Sequence, residues 1–202
     1  MRKAVFIDKD GTLIKDVPYN VDPELIELSS SCIEGLFTLQ QAGYRLVVIT
    51  NQSGIARGYF SESALKPVQH RIEEIFRAYA LHLDGFYYCP HHPGGTIAEY
   101  ATECTCRKPM PGMIKQACEE LSIDANGSWM IGDILNDIEA GNRAGCKTIL
   151  LDNGNETEWI ISDIRKPHYT VRTINEAANH ILEHEYREGH YDISRTHQFI
   201  SG

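Results

Sequence analysis

The chain has no apolar run long enough to cross a membrane as a helix, although 42 % of its 202 residues are hydrophobic. It also has no excess of positive charge: 28 acidic residues outnumber 19 basic ones, for a formal net charge of −9. That balance argues against protein-wide attraction to nucleic acid or anionic membranes, yet leaves room for a local phosphate pocket. No internal repeat and no Cys-x-x-Cys pair occurs. The first apolar run stops at Asp8-Lys9-Asp10, too early for a signal-peptide core, so a soluble cytoplasmic protein is expected, with neither a nucleic-acid nor a membrane partner. The hydrophobic share is too large for global disorder, and the length suits one α/β unit with a real core.

Val- and Ile-rich runs predict strands over 3–8, 45–50, 85–89, 128–131 and 148–151, with a short edge strand at 170–171. Helical spacing covers 31–42, where Ile33, Leu36, Phe37 and Leu39 are apolar and Gly43 is the stop. A second helix is expected from an N-cap at Ser61 to about residue 83, with Pro67 near its start. Others are expected over 113–121, 134–144 and 174–182. Strands alternating with helices predict a Rossmann-like parallel sheet with helices on both faces. One domain is expected over 1–185, followed by a polar tail over 186–202. Ligands of such sheets sit at the carboxyl ends of the strands, where Asp8, Thr50 and Gly132-Asp133 fall.

Two carboxylates two residues apart at a strand end, Asp8 and Asp10, can divide a reaction between a nucleophile and a general acid/base. A divalent cation such as Mg²⁺ would relieve the repulsion between Asp8 and an anionic phosphate. An Asp-rich turn that merely closes a strand fits the bare pattern equally well. Thr50-Asn51-Gln52-Ser53-Gly54 offers a hydroxyl and backbone N–H groups to phosphate oxygens, or is an ordinary turn. Arg107-Lys108-Pro109 offers a point charge and a forked donor, or a solvated basic pair. Asp133 suits a cation, or caps the helix beginning at Ile134.

Residues 89–111 carry Pro90, Pro93, Gly94, Gly95 and Pro109 without periodicity, which asks for something to hold them in shape. Cys89, His91, Cys104 and Cys106 offer four ligands for a closed tetrahedral structural zinc. His92 in place of His91, iron in place of zinc, or a redox role for Cys104 and Cys106 remain alternatives.

Phe6-Ile7-Asp8-Lys9-Asp10-Gly11-Thr12-Leu13 resembles the first motif of the haloacid dehalogenase-like phosphatases, and the other three stretches resemble the later motifs in order. The resemblance implies an aspartyl-phosphate on Asp8, acid/base work by Asp10 and a phosphate-binding hydroxyl on Thr50. It implies charge neutralisation by Lys108, and Mg²⁺ held by Asp8, the backbone carbonyl of Asp10, and Asp133. Asp137 would orient metal-bound water. The cysteine loop, within 89–108, and Gly54-Ile55-Ala56-Arg57-Gly58 are similar to the zinc-containing D-glycero-D-manno-heptose 1,7-bisphosphate phosphatases and the related histidinol-phosphate phosphatases. The heptose group implies no large cap domain, a small phosphorylated sugar as partner, and substrate contacts by Asp16, Tyr19, Asn51, Gln52, Ser53, Arg57 and Arg107. A monomer is expected. Many members carry a Lys directly after the fourth-motif Asp; here that position is Ile134. Competing expectations are a histidinol-phosphate phosphatase, a nucleic-acid 3′-phosphatase, and a non-catalytic zinc-binding interaction module.

Overall fold

The computed structural model describes residues 1–29 and 32–189. Six strands form one parallel sheet: β1 (Lys3–Ile7), β2 (Tyr44–Asn51), β3 (Gly85–Cys89), β4 (Trp129–Gly132), β5 (Lys147–Leu151) and β6 (Tyr169–Val171), in the order β3-β2-β1-β4-β5-β6. Among the described residues five α-helices connect or follow them: α1 (Ile33–Gln41), α2 (Leu65–Ala78), α3 (Gly112–Leu121), α4 (Leu135–Ala144) and α5 (Ile174–Arg187). This is the Rossmann-like architecture the alternating pattern predicts. Among the described residues, no helix is long and apolar enough to cross a membrane.

Strand alternation divides the core. Val5, Ile7, Leu46, Val48 and Ile131 face α1, α2 and α5, meeting Leu36, Leu39, Ile72, Phe76 and Ile181. Ala4, Phe6, Val47, Ile49 and Met130 face the other way, toward Met113, Ile114 and Ala117 of α3 and Ala140 of α4. Each large side chain so buried contributes roughly 1.5–3 kcal/mol. Because strands buried on both faces need apolar residues throughout, β1, β2 and β4 read as continuous hydrophobic runs.

Three element ends differ from expectation. The helix after Ser61 stops at Ala78, not at about residue 83. Ala80 takes a left-handed φ of 56°, and the Leu81 N–H donates back to the Phe76 carbonyl at 2.8 Å. This closure normally uses glycine, so no glycine marks the stop. Ser61 does not cap that helix: its hydroxyl pairs with Ser63, a short 3₁₀ turn (Glu62–Ala64) intervenes, and Pro67 falls in the first turn of α2, where its missing N–H costs little. Finally, α5 runs through Arg187, so the boundary expected at 186 lies inside a helix; residues 190–202 of the expected tail lie outside the described residues. The expected start of α1 at Ser31 is outside them too.

Candidate active site

The central strand β1 delivers the acidic turn. Beyond Ile7, the Asp8 N–H donates to the Ile131 carbonyl of β4 at 3.0 Å, which carries the strand pairing one residue further. The chain then turns back, with Leu13 N–H donating to the Asp8 carbonyl and Ile14 N–H to that of Lys9. Gly11 sits at the tightest point with a φ of +82°, and a Cβ there would lie 2.2 Å from Asp133 Oδ2. Only glycine combines that backbone angle with so close an approach.

Around Asp8 the sheet edge gathers charge from residues far apart in sequence. Lys108 Nζ contacts Asp8 Oδ1, lies 2.6 Å from Asp137 Oδ1, and donates to the Ile49 carbonyl at 3.1 Å. Asp8, Lys108, Asp133 and Asp137 are all buried. Burial raises the Asp8 carboxyl well above the usual range, Lys108 opposes this, and Asp137, Asp133 and Asp10 reinforce it. Burial alone would lower Lys108, but Asp137 and Asp8 outweigh it and hold its proton more tightly than in free lysine. The Asn51 side chain grips the Lys108 backbone from both sides, donating to its carbonyl at 3.1 Å and accepting its N–H at 3.0 Å.

Asp10 points elsewhere. Its Oδ1 accepts from Lys9 Nζ at 2.6 Å, and its Oδ2 accepts from Gln52 Nε2 at 3.1 Å and from Thr50 Oγ1 at 3.5 Å. Gln52 also donates to Thr50 Oγ1 at 2.8 Å. Asn51 and Gln52, expected at the substrate, therefore spend their side chains on Lys108 and on the Thr50–Asp10 pair.

Carboxylate oxygens of Asp8, Asp133 and Asp137 lie within 4.8 Å of one another. Lys108 contacts two of these three carboxylates, and the cluster has the donor set and the uncompensated charge that a hard divalent cation requires. Asp133 Oδ1 accepts from the Thr12 hydroxyl at 3.0 Å and Oδ2 from Asn155 Nδ2 at 2.7 Å. Burial raises its carboxyl, and Asp137 adds to this, while Asn155 and Thr12 oppose it. Asp133 does not cap α4; Asp137 accepts the Ile134 N–H at 3.2 Å instead. Asp137, expected to act on metal-bound water, thus joins the carboxylate cluster directly and pairs with Lys108. A Cβ on Gly132 would lie 2.2 Å from that of Asp137.

The β2–β3 register sets Asn51 opposite Cys89, which places the cysteine loop beside this site. Cys106 Sγ lies 3.1 Å from Cys89 Sγ and 3.2 Å from Cys104 Sγ, and His91 Nδ1 lies 3.4 Å from Cys106 Sγ. Ligands about 2.3 Å from a tetrahedral zinc stand about 3.8 Å apart, so the four atoms are close to that arrangement. Hydrogen bonding with Cys89 first, then with Cys104 and His91, outweighs burial and pulls the Cys106 thiol down to about 5, toward the thiolate that zinc binds. His92 is turned away: its Nδ1 accepts the Gly94 N–H at 3.0 Å and its Nε2 lies 3.2 Å from Arg57. The Arg107 N–H donates to Cys104 Sγ at 3.3 Å and its guanidinium to the His91 carbonyl at 3.4 Å, so the cysteine cluster holds this cation. Burial lowers Arg107, and the adjacent Arg57 adds to the effect.

The remaining expected residues lie on the loops after β1 and β2. The Ser53 carbonyl accepts the Arg57 N–H at 3.0 Å. Tyr19, with a left-handed φ of 57°, packs edge-to-face on Tyr59 at 4.6 Å, joining the loops after β1 and β2. Asp16 lines a cleft of about 390 Å³ with Gly11, Lys15, Asn153, Asn155 and Arg172. Asn155 carries no motif signal in the sequence, and Thr12, the other partner of Asp133, lies inside the acidic motif without an expected role.

A family model described as HAD-hydrolase-like matches residues 105–177. A D-glycero-beta-D-manno-heptose-1,7-bisphosphate 7-phosphatase of Pasteurella multocida is 46 % identical over 76 % of this chain and 84 % of its own length. A D-glycero-alpha-D-manno-heptose-1,7-bisphosphate 7-phosphatase of Photorhabdus laumondii is 40 % identical over 77 % of this chain and 85 % of its own. The structure of a D,D-heptose 1,7-bisphosphate phosphatase from B. bronchiseptica, complexed with magnesium and phosphate, has a TM-score of 0.73 at 26 % identity, covering 90 % of this chain and 99 % of that one. Likeness at this level, over three quarters of this chain and more than four fifths of the Pasteurella relative, shows that the chain belongs to the haloacid dehalogenase-like phosphatases, enzymes that hydrolyse phosphoric monoesters.

Proposed function

We propose that the enzyme removes the 7-phosphate of D-glycero-D-manno-heptose 1,7-bisphosphate and leaves the heptose 1-phosphate, acting as a cytoplasmic monomer. The observation that carries the chemistry is the buried group of Asp8, Lys108 and Asp133 at the end of β1. The named substrates of the relatives carry the choice of sugar.

Asp8 attacks phosphorus, forming a carboxyl–phosphate bond as the bond to the sugar oxygen breaks. Asp10 gives its proton to that oxygen, then takes one from the water that opens the aspartyl-phosphate, releasing inorganic phosphate and restoring both groups. Lys108 neutralises the phosphoryl oxygens and the Thr50 hydroxyl donates to one of them. Asn51 sets the position of Lys108, and Gln52 that of Asp10 and Thr50. Asp8, Asp133 and the Asp10 backbone carbonyl, with Asp137 beside them, would hold Mg²⁺, which would supply positive charge where the phosphoryl group is bound. A zinc ion held by Cys89, His91, Cys104 and Cys106 would be structural, since four protein ligands leave no open position. Cys104 and the His91 carbonyl hold Arg107 in place, and Arg107 and Arg57 receive the second phosphate. Tyr19, Ser53 and Asp16 belong to the loops around the sugar.

Phosphate release from the α and β anomers of the bisphosphate and from histidinol phosphate, at equal enzyme concentration with Mg²⁺, tests the substrate. A clear preference for either heptose anomer supports the proposal; a preference for histidinol phosphate overturns it. The anomer is the finer outcome, because relatives of both kinds match and Ile134 supplies no cation next to Asp133.

A further inference from the structure

We infer that Asn155 is a positioning residue for the metal-binding carboxylate of Asp133, carried by a strap, residues 152–156, that follows β5. Its amide donates to Asp133 Oδ2 at 2.7 Å, while the Thr12 hydroxyl donates to Oδ1 at 3.0 Å. One bond to each oxygen stops the carboxylate rotating and leaves a lone pair on each oxygen for a cation.

The rest of the strap is tied to the same surroundings. Asn153 Nδ2 donates to the Gly11 carbonyl at 2.6 Å, on the acidic turn. Glu156 Oε2 accepts the Leu135 N–H at 2.6 Å, at the start of the helix that follows Asp133. The Asn155 N–H closes the strap on itself by donating to Asn153 Oδ1 at 3.2 Å. Asp133 is thus gripped from the β5 side, while the cysteine loop and its arginines stand over β2 and β3 on the other side of β1.

Chemistry favours an amide at this position. A carboxylate would add a fourth negative charge to a cluster that has one ammonium, whereas a neutral donor lowers the cost of keeping Asp133 ionised. Asn155 is exposed although Asp133 is buried, so truncating it removes the donor without opening the core.

This role rests on Asp133 being a ligand of the catalytic cation, and the test separates the two. Mn²⁺ is titrated into the full chain and followed by the resonance signal of the free ion, for the wild type, Asn155→Ala and Asp133→Asn, beside Mg²⁺ activation curves. Asn155→Ala should weaken Mn²⁺ binding on the order of 10-fold and shift the Mg²⁺ activation midpoint equally, as loss of a ligand's hydrogen-bond partner does elsewhere. KM for the sugar phosphate at saturating Mg²⁺ and the melting temperature should stay unchanged. If Asn155→Ala binds Mn²⁺ like the wild type while Asp133→Asn loses it, Asn155 has no such role. If Asp133→Asn also binds like the wild type, the metal assignment falls and the role of Asn155 with it.

Discussion

The ammonium of Lys108 stands between the carboxylates of Asp8 and Asp137, 2.6 Å from Asp137 and in direct contact with Asp8, and all three side chains are buried. Removing the cation leaves two buried anions facing each other. Lys108→Met should cost about 3–5 kcal/mol of stability in urea melts, by loss of one partner of a buried ion pair. It should also lower kcat by at least about 100-fold, because the phosphoryl charge is no longer met. Adding Asp137→Asn should recover part of the stability and none of the activity. Additive losses in the double variant would show that the two side chains do not interact.

Asp8→Asn tests the nucleophile. The amide keeps the shape and removes the attacking charge, so phosphate release should fall on the order of 10⁴-fold, in the range seen when a catalytic residue is removed. The circular dichroism spectrum should not change. Retained turnover would refute a covalent path through Asp8.

Gly11→Ala joins a backbone penalty to a collision. The position has a φ of +82°, and the new methyl would lie 2.2 Å from Asp133 Oδ2. A loss of roughly 1–3 kcal/mol is expected from the backbone conformation alone, together with a collapse of activity as Asp133 is pushed aside. Thermal melts and kcat/KM measure both. A variant with wild-type activity would mean that the turn relaxes without moving the carboxylate.

Cys106→Ser removes the sulfur closest to both other thiols. Metal analysis should fall from about one zinc per chain to well below that, as expected of a four-ligand site losing one member. Since the cluster holds the Arg107 N–H and guanidinium, KM should rise more than kcat falls. A kcat loss with unchanged KM would place the effect at Asp8 rather than at the arginines.

His168 supplies a pH dependence remote from the chemistry. Its Nδ1 lies 3.1 Å from both the Thr148 N–H and hydroxyl, a pairing that favours the neutral ring. Burial lowers its proton affinity, and Lys147 and His184 add to this. The unfolded chain therefore takes up this proton more readily than the fold does. Its contribution is fully present above the ordinary histidine value of about 6.5 and is lost as the pH falls below it. His168→Asn should lose less melting temperature than the wild type between neutral and mildly acidic pH. Equal losses would remove His168 from the acid response.

Much of the fold was legible because it is local. Val and Ile runs marked the strands, and the apolar spacing of Ile33, Leu36 and Leu39 marked α1. The end of α2 was not legible, since Ala80 adopts a conformation usually signalled by glycine. Nor could spacing choose between His91 and His92; the choice follows from which ring the loop turns toward Cys106 and which toward Arg57. Asp133 was ambiguous for a related reason, because helix capping and metal binding call for the same residue type. Asp137 takes the backbone N–H at the start of α4, and that leaves Asp133 to Thr12 and Asn155.

By itself the sequence determined the alternating architecture, the four motifs and the order in which they reach the sheet edge, because strand and helix periodicities and turn residues act over a few positions. Tertiary structure alone decided the pairings. Lys108 finds Asp8 across 100 residues, Asn51 holds Lys108 across 57, and Asn155 reaches Asp133 from a loop with no motif. Such partners are selected by where a parallel sheet sets its strand ends in space, a property of the packed layers that no local run of residues carries.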